Sequence, residues 1–181
     1  MAVARVSASL IREHLGDASA FGAAWVYGRL KDCVQGLGVG VLVGLGSLLV
    51  AALFVDLGFK FNPGPFSKLA TTPGFPQVAF IACALFLAPP VEELLFRGVL
   101  YGGYRRSFGP ARAAALTTAI FVLLHFGEII HMLPAAFGIT GMALAALWFR
   151  LRTAAIGPAV AVHFGYNLVI VSALAVSVWR K

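Results

Sequence analysis

The stretch Ala88-Pro89-Pro90-Val91-Glu92-Glu93-Leu94-Leu95-Phe96-Arg97 places two carboxylates and a guanidinium inside an apolar run that extends from about Gln77 to Tyr104. A run of this length predicts a membrane-spanning helix, which needs about 20 mostly apolar residues. Ionisable side chains are costly in hydrocarbon, so an acidic pair there is a hypothesis for a functional site. The stretch therefore predicts a membrane helix that carries a polar site.

The composition of the whole chain agrees with a membrane protein. Of its 181 residues, 60% are hydrophobic and 12% are charged, and the mean hydropathy is +0.91. A soluble domain would carry about a quarter charged residues. We predict an all-α, polytopic membrane helix bundle over residues 34–181, preceded by an N-terminal segment at residues 1–33.

Five apolar runs predict about five transmembrane helices. Their expected ranges are 34–57, 77–104, 113–126 (with an extension to 130 left open), 135–149 and 154–179. The first run contains small residues that we expect to form a close-packing face. These are Gly36, Gly38, Gly40, Gly44 and Gly46. Proline and glycine between the first two runs predict a loop.

The charged residues outside the apolar runs indicate topology. The formal net charge is +7, and most of the basic residues fall in connections, which predicts a cytoplasmic N-terminus and no nucleic-acid partner. The connections that carry them contain Arg29, Lys31, Arg105, Arg106, Arg112, Arg150 and Arg152. Residues 1–28 lack the pattern of a signal peptide. They predict an amphipathic segment on the membrane surface, or alternatively a partly ordered tail.

Helical spacing separates the two glutamates. Glu93 and Arg97 lie four residues apart, so they share a helix face and can form an ion pair, whereas Glu92 points about 100° away. We expect Pro89-Pro90 to end or kink the preceding helix, which would place both glutamates in the first turn of a new one. The ion pair could be purely structural.

Two further polar motifs lie in equally apolar surroundings. Phe121-x-x-x-His125 predicts a ring packed against an imidazole, and His163-x-x-x-Asn167 places two polar groups on one face. At a rise of about 1.5 Å per residue, Glu92, His125 and His163 all lie roughly 15–20 Å from the same membrane face. This shared depth favours one site over three separate helix–helix hydrogen bonds.

The side chains at this depth predict hydrolysis by an activated water. A carboxylate and a neutral imidazole can hold and deprotonate a water, and a second imidazole and a carboxamide can stabilise an oxyanion. Glu92, His125 and His163 could alternatively bind zinc. The helical His-Glu-x-x-His pattern of zinc proteases is absent, so we favour a metal-independent site without a cofactor.

The three motifs in this order resemble the CAAX-processing endopeptidase and bacteriocin-processing (CPBP, or Abi) family of intramembrane glutamic proteases. The family pattern is EExxxR, FxxxH and HxxxN, and the resemblance covers about residues 75–177. It implies that Glu92 activates water with the help of His125, and that His163 and Asn167 stabilise the oxyanion. Glu93 and Arg97 match supporting positions.

The resemblance implies an endopeptidase that cleaves a membrane-associated or lipid-anchored protein or peptide. The chain lacks an organelle-targeting segment, and its compactness favours a multi-pass protein of a prokaryotic inner membrane. A non-proteolytic immunity or regulatory partner, built on the same bundle, is the alternative. Besides the substrate, the lipid bilayer is the only partner we expect, and the sequence does not indicate an oligomeric state.

Overall fold

The computed structural model describes residues 28–62 and 64–179. The described chain forms seven helices and no strand, which confirms the all-α helical bundle. The helices are α1 (Leu30–Asp56), α2 (Pro65–Thr71), α3 (Phe75–Phe108), α4 (Pro110–Leu124), α5 (Phe126–Ile129), α6 (Ala135–Thr153) and α7 (Gly157–Trp179). The amphipathic segment predicted before α1 lies outside the described residues.

Each predicted span corresponds to a helix, but the helices differ in kind. Three are long and apolar enough to cross a membrane: α1, α3 and the portion Gly157–Ser177 of α7. The third predicted span is the shorter apolar helix α4, and the fourth is α6, whose last turn carries Arg150 and Arg152. The five predicted spans therefore correspond to the three long apolar helices together with α4 and α6.

Helix α6 is the central helix of the bundle. It packs against α1, α4 and α7, and its buried positions are mostly small or apolar. They are Gly138, Ile139, Met142, Ala143, Ala146, Leu147 and Phe149. Small residues allow neighbouring backbones to approach closely within a membrane bundle. Helix α6 also exposes large apolar side chains such as Phe137 and Leu144, so it has a buried face of small residues and an apolar outer face.

Helices α1 and α7 are in direct backbone contact. Gly36, Gly40 and Gly44 recur every four residues, so they share the face of α1 that meets α7. A Cβ at Gly40 would collide with the carbonyl oxygen of Val162, and one at Gly44 would lie 2.8 Å from Val169 Cβ. The predicted close-packing face was wrong for Gly38 and Gly46, which have open space around them because they lie on another face.

Helix α3 runs through its two prolines. It spans 34 residues and contains two π-helical segments, Cys83–Leu87 before the prolines and Leu94–Leu100 after the glutamates. Of the two expectations for Pro89-Pro90, an end or a kink of the helix, the end was therefore wrong, and the glutamates lie in the middle of α3 instead of a first turn. The wider π-helical turn accommodates residues that cannot donate a backbone hydrogen bond.

A short helix, α2, occupies part of the predicted loop between the first two spans. The Glu128 carboxylate accepts a hydrogen bond from the Phe66 amide at 2.6 Å and from the Ser67 hydroxyl at 3.4 Å. Glu128 lies three residues after His125, in α5. The loop is therefore attached to the segment that follows the histidine of the second motif.

Because α1 contacts α7 at Gly40 and not at Gly38, we expect alanine substitutions at these two glycines to affect stability differently. Gly40→Ala should lower the free energy of unfolding by about 1–3 kcal/mol or more, because the added methyl group meets backbone. Gly38→Ala, the matched control, should leave it unchanged or raise it by up to about 1 kcal/mol through helix propensity. Unfolding of the purified protein in detergent measures both, and equal effects would contradict the close contact.

Candidate active site

The centre of the site is the buried carboxylate of Glu93. Its Oε1 atom lies 3.1 Å from Arg97 Nη1 and 3.0 Å from His163 Nδ1. All three side chains are at most 3% exposed. The predicted ion pair between Glu93 and Arg97 is therefore present, and it includes a histidine from α7 that helical spacing within α3 could not reveal.

Arg97 extends this contact to the central helix. Its Nη2 donates to the carbonyl oxygen of Ala143 at 2.8 Å, and its guanidinium lies over the Phe121 ring at 4.6 Å from the centroid. Arg150 Nε donates in turn to the Arg97 carbonyl oxygen at 3.3 Å. Ala143 and Arg150 were not among the predicted site residues, because backbone acceptors and contacts between distant residues leave no local pattern in the sequence.

The two histidines are oriented in the same way, each by a hydrogen bond at Nδ1. His125 Nδ1 lies 2.8 Å from the Phe121 carbonyl oxygen, and His163 Nδ1 lies 3.0 Å from the Glu93 carboxylate. The Phe121 carbonyl oxygen can only accept a hydrogen bond, and so can the Glu93 carboxylate when it is ionised. Nδ1 therefore carries the proton in each ring. The Nε2 atom of each neutral ring is consequently a lone-pair acceptor.

Phe121 holds the two imidazoles in place. Its fully buried ring stacks on His125 with centroids 4.6 Å apart and meets His163 edge-on at 5.9 Å. The packing predicted for Phe121 and His125 is therefore present. Its contact with His163 explains how one aromatic ring on α4 can set the position of His125, directly after α4, and of His163 on α7.

Glu92 faces both histidines. Its Oε2 atom lies 4.0 Å from His125 Nε2 and 3.9 Å from His163 Nε2. These distances are too long for direct hydrogen bonds but suit groups that share a small molecule between them. Oε2 is buried and has no hydrogen-bond partner among the described residues, although the side chain as a whole is 30% exposed. Three potential acceptors thus surround one small volume.

Asn167 has a different contact. Its Nδ2 donates to the carbonyl oxygen of Ala84 on α3 at 2.8 Å. The structure therefore brings Glu92, Glu93, Arg97, His125 and His163 into one connected group, and it places the Asn167 amide against the backbone of the same helix that carries the glutamates.

The spacing of the acceptors bears on the zinc alternative. Ligand atoms around a tetrahedral zinc ion lie about 3.3 Å apart, given bonds of about 2.0–2.1 Å. The separations from Glu92 Oε2 to the two Nε2 atoms are wider, at 4.0 and 3.9 Å. Within residues 28–62 and 64–179, no group of three His, Cys, Asp or Glu side chains has the arrangement of a metal site.

The part of the chain that contains these residues matches a known protein family. The model of the Rce1-like family, described as type II CAAX prenyl endopeptidase Rce1-like, matches residues 74–169, just over half of the chain. The chain belongs to this Rce1-like family. The family resemblance drawn from the three motifs is thereby confirmed. No curated protein and no solved structure matched the chain.

Family membership gives the general class of the protein. An Rce1-like chain is a CAAX-protease-like peptidase, and the family together with three apolar helices makes it an integral membrane protein. The matched residues include the whole of the connected group from Glu92 to His163.

The buried charges predict a large cost for removing one partner. Arg97→Met should lower the free energy of unfolding by about 3–5 kcal/mol, because it leaves the Glu93 carboxylate without its guanidinium. Adding Glu93→Gln should recover part of that loss, since the buried negative charge is then gone. Denaturation of the single and double variants in detergent measures the difference, and a double variant less stable than Arg97→Met would contradict the pairing.

Proposed function

We propose that this protein is an intramembrane endopeptidase that hydrolyses a peptide bond of a membrane-associated or lipid-anchored substrate, using a water activated by Glu92. The observation that carries the proposal is the buried, unpartnered Oε2 atom of Glu92, which faces the Nε2 atoms of His125 and His163 at 4.0 and 3.9 Å. The protein's membership in an endopeptidase family supports peptide-bond hydrolysis as the reaction class.

The separations around Glu92 suit one attacking water. A water that forms hydrogen bonds of about 2.8 Å to two acceptors, roughly at right angles, joins atoms about 4 Å apart. That water can donate one hydrogen bond to Glu92 Oε2 and another to His125 Nε2. As the water oxygen bonds to the carbonyl carbon, Glu92 takes one proton as the general base, and it gives this proton to the leaving amine nitrogen when the C–N bond breaks. His125 orients the water. The peptide carbonyl carbon would approach the remaining lone pair of the water.

His163 is the group that we assign to the oxyanion. Its Nδ1 is held by Glu93 at 3.0 Å, so this role requires a second proton, on Nε2, in addition to the one on Nδ1. The protonated Nε2 can then donate a hydrogen bond to the carbonyl oxygen as negative charge develops on it. Glu93 and Arg97 support the reaction by fixing this ring. Asn167, expected as the second donor, uses one of its two Nδ2 hydrogens for the Ala84 carbonyl.

An apolar groove beside the site supports a lipid-anchored or membrane-associated substrate. The groove has a volume of about 780 Å³ and lies between α1, α3 and α7. Its lining includes Pro90, Val91, Leu94 and Phe164, which are chain neighbours of the glutamates and of His163. We propose that an apolar segment of the substrate lies in this groove, in a prokaryotic inner membrane and with the N-terminus of the protein in the cytoplasm.

Loss of the general base should abolish cleavage without unfolding the protein. We expect Glu92→Gln to reduce the cleavage rate by about 10²–10⁴-fold, the usual contribution of a positioned base. The exposed Asp56→Asn removes the same charge far from the site and should retain normal activity. Quantitative mass spectrometry of membrane-protein termini, from cells that carry each variant, identifies the substrates and measures the loss.

Normal processing by Glu92→Gln would overturn the proposal. Retention of the biological function without cleavage, combined with its loss when the α1 glycine face is made bulky, would support the non-proteolytic immunity or regulatory partner instead.

The proposed chemistry predicts insensitivity to chelators. Activity of the purified enzyme should change by less than about twofold after treatment with a strong zinc chelator, because the carboxylate and imidazoles hold the water without a metal. Elemental analysis of the same sample should find less than about 0.1 zinc per chain, because a bound zinc ion needs at least three protein ligands. Activity that is lost with the chelator and restored by zinc would establish the metal-dependent alternative.

A further inference from the structure

The backbone carbonyl of Ala84 on α3 lacks its helical hydrogen bond, close to the site. In the π-helical segment Cys83–Leu87, the Ala88 amide donates to the carbonyl oxygen of Cys83. The next carbonyl, on Ala84, would receive its π-helical hydrogen bond from residue 89. That residue is Pro89, which has no N–H. The sequence of α3 thus leaves the Ala84 carbonyl without its regular helical donor.

A side chain from another helix supplies the missing donor. Asn167 Nδ2 donates to the Ala84 oxygen at 2.8 Å. Asn167 lies four residues after His163, so both side chains leave the same face of α7 and reach α3. A carboxamide suits this task because it is a neutral donor, and an unsatisfied carbonyl away from water costs about 1–3 kcal/mol.

We propose that Asn167 is a positioning residue, which fixes α3 against α7 by replacing the hydrogen bond that Pro89 cannot make. Two contacts then hold the helices in register: Asn167 with Ala84, and His163 with Glu93. Two points of attachment fix both the translation and the rotation of α3, and hence the direction in which Glu92 projects. This role differs from the oxyanion donor that the motif led us to expect.

If Asn167 replaces the hydrogen bond that Pro89 cannot make, Asn167 is needed only while residue 89 is a proline. Pro89→Ala returns a backbone N–H to α3, so the Ala84 carbonyl gains a donor within its own helix. Pro90→Ala is the matched control: it also returns an N–H, but one that serves the next carbonyls along the helix. If Asn167 donated to the oxyanion instead, it would be needed equally in the wild-type, Pro89→Ala and Pro90→Ala proteins.

The test is a double-mutant cycle with purified protein in lipid vesicles, measured well below the melting temperature. Asn167→Ala should lower kcat at least 10-fold with KM changed less than about twofold, since misplacement of a reacting group by about 1 Å can cost up to 100-fold. In the Pro89→Ala background the same substitution should cost less than about threefold. In the Pro90→Ala background it should again cost at least 10-fold.

An equal loss of kcat in every background would overturn the proposal and favour direct contact with the oxyanion. If Pro89→Ala does not fold, Pro89→Ser returns the same N–H and replaces it in the cycle. The catalytic readout rests on the proposed function, so melting temperatures of the same variants are measured in parallel. Coupling in melting temperature without hydrolysis by any variant would refute the peptidase proposal alone, whereas additive melting temperatures would refute the role of Asn167.

Discussion

The arrangement of the site depends on one buried oxygen atom, Oε1 of Glu93. A carboxylate removed from water is tolerated only when charged or polar partners surround it, and this oxygen has Arg97 from its own helix and His163 from α7. Arg97 also donates to Ala143 on α6, so three helices meet through a single ionic contact. The same contact holds His163 by its Nδ1 atom and leaves its Nε2 atom 3.9 Å from Glu92. A substitution that removes this oxygen is therefore expected to change both the stability of the bundle and the position of His163.

Much of this architecture could be predicted from the sequence, where the determining distances lie within one helix. Apolar run lengths predicted the helices, and spacing of four residues predicted the contacts of Glu93 with Arg97 and of Phe121 with His125. Counting residues from the basic connections also placed Glu92 near the histidines. Each of these inferences uses the fixed rise and rotation of a helix, which the sequence determines without knowledge of the neighbours.

The remaining features depend on contacts between helices, which residue spacing does not encode. The pairing of His163 with Glu93, and of Asn167 with Ala84, requires the crossing geometry of α3 and α7. The continuation of α3 through Pro89-Pro90 was missed for the same reason. A rule that counts donors within one helix predicts a break there, whereas a donor from another helix and a wider turn keep the helix intact.

The glycine contact between α1 and α7 also constrains how a substrate can reach the buried carboxylate. Where backbones touch, no side chain can swing aside to open a passage between the two helices. Lateral entry of a peptide from the lipid along the stretch between Gly36 and Gly44 would have to separate two backbones in contact. A path for the substrate is therefore easier to open elsewhere around the bundle.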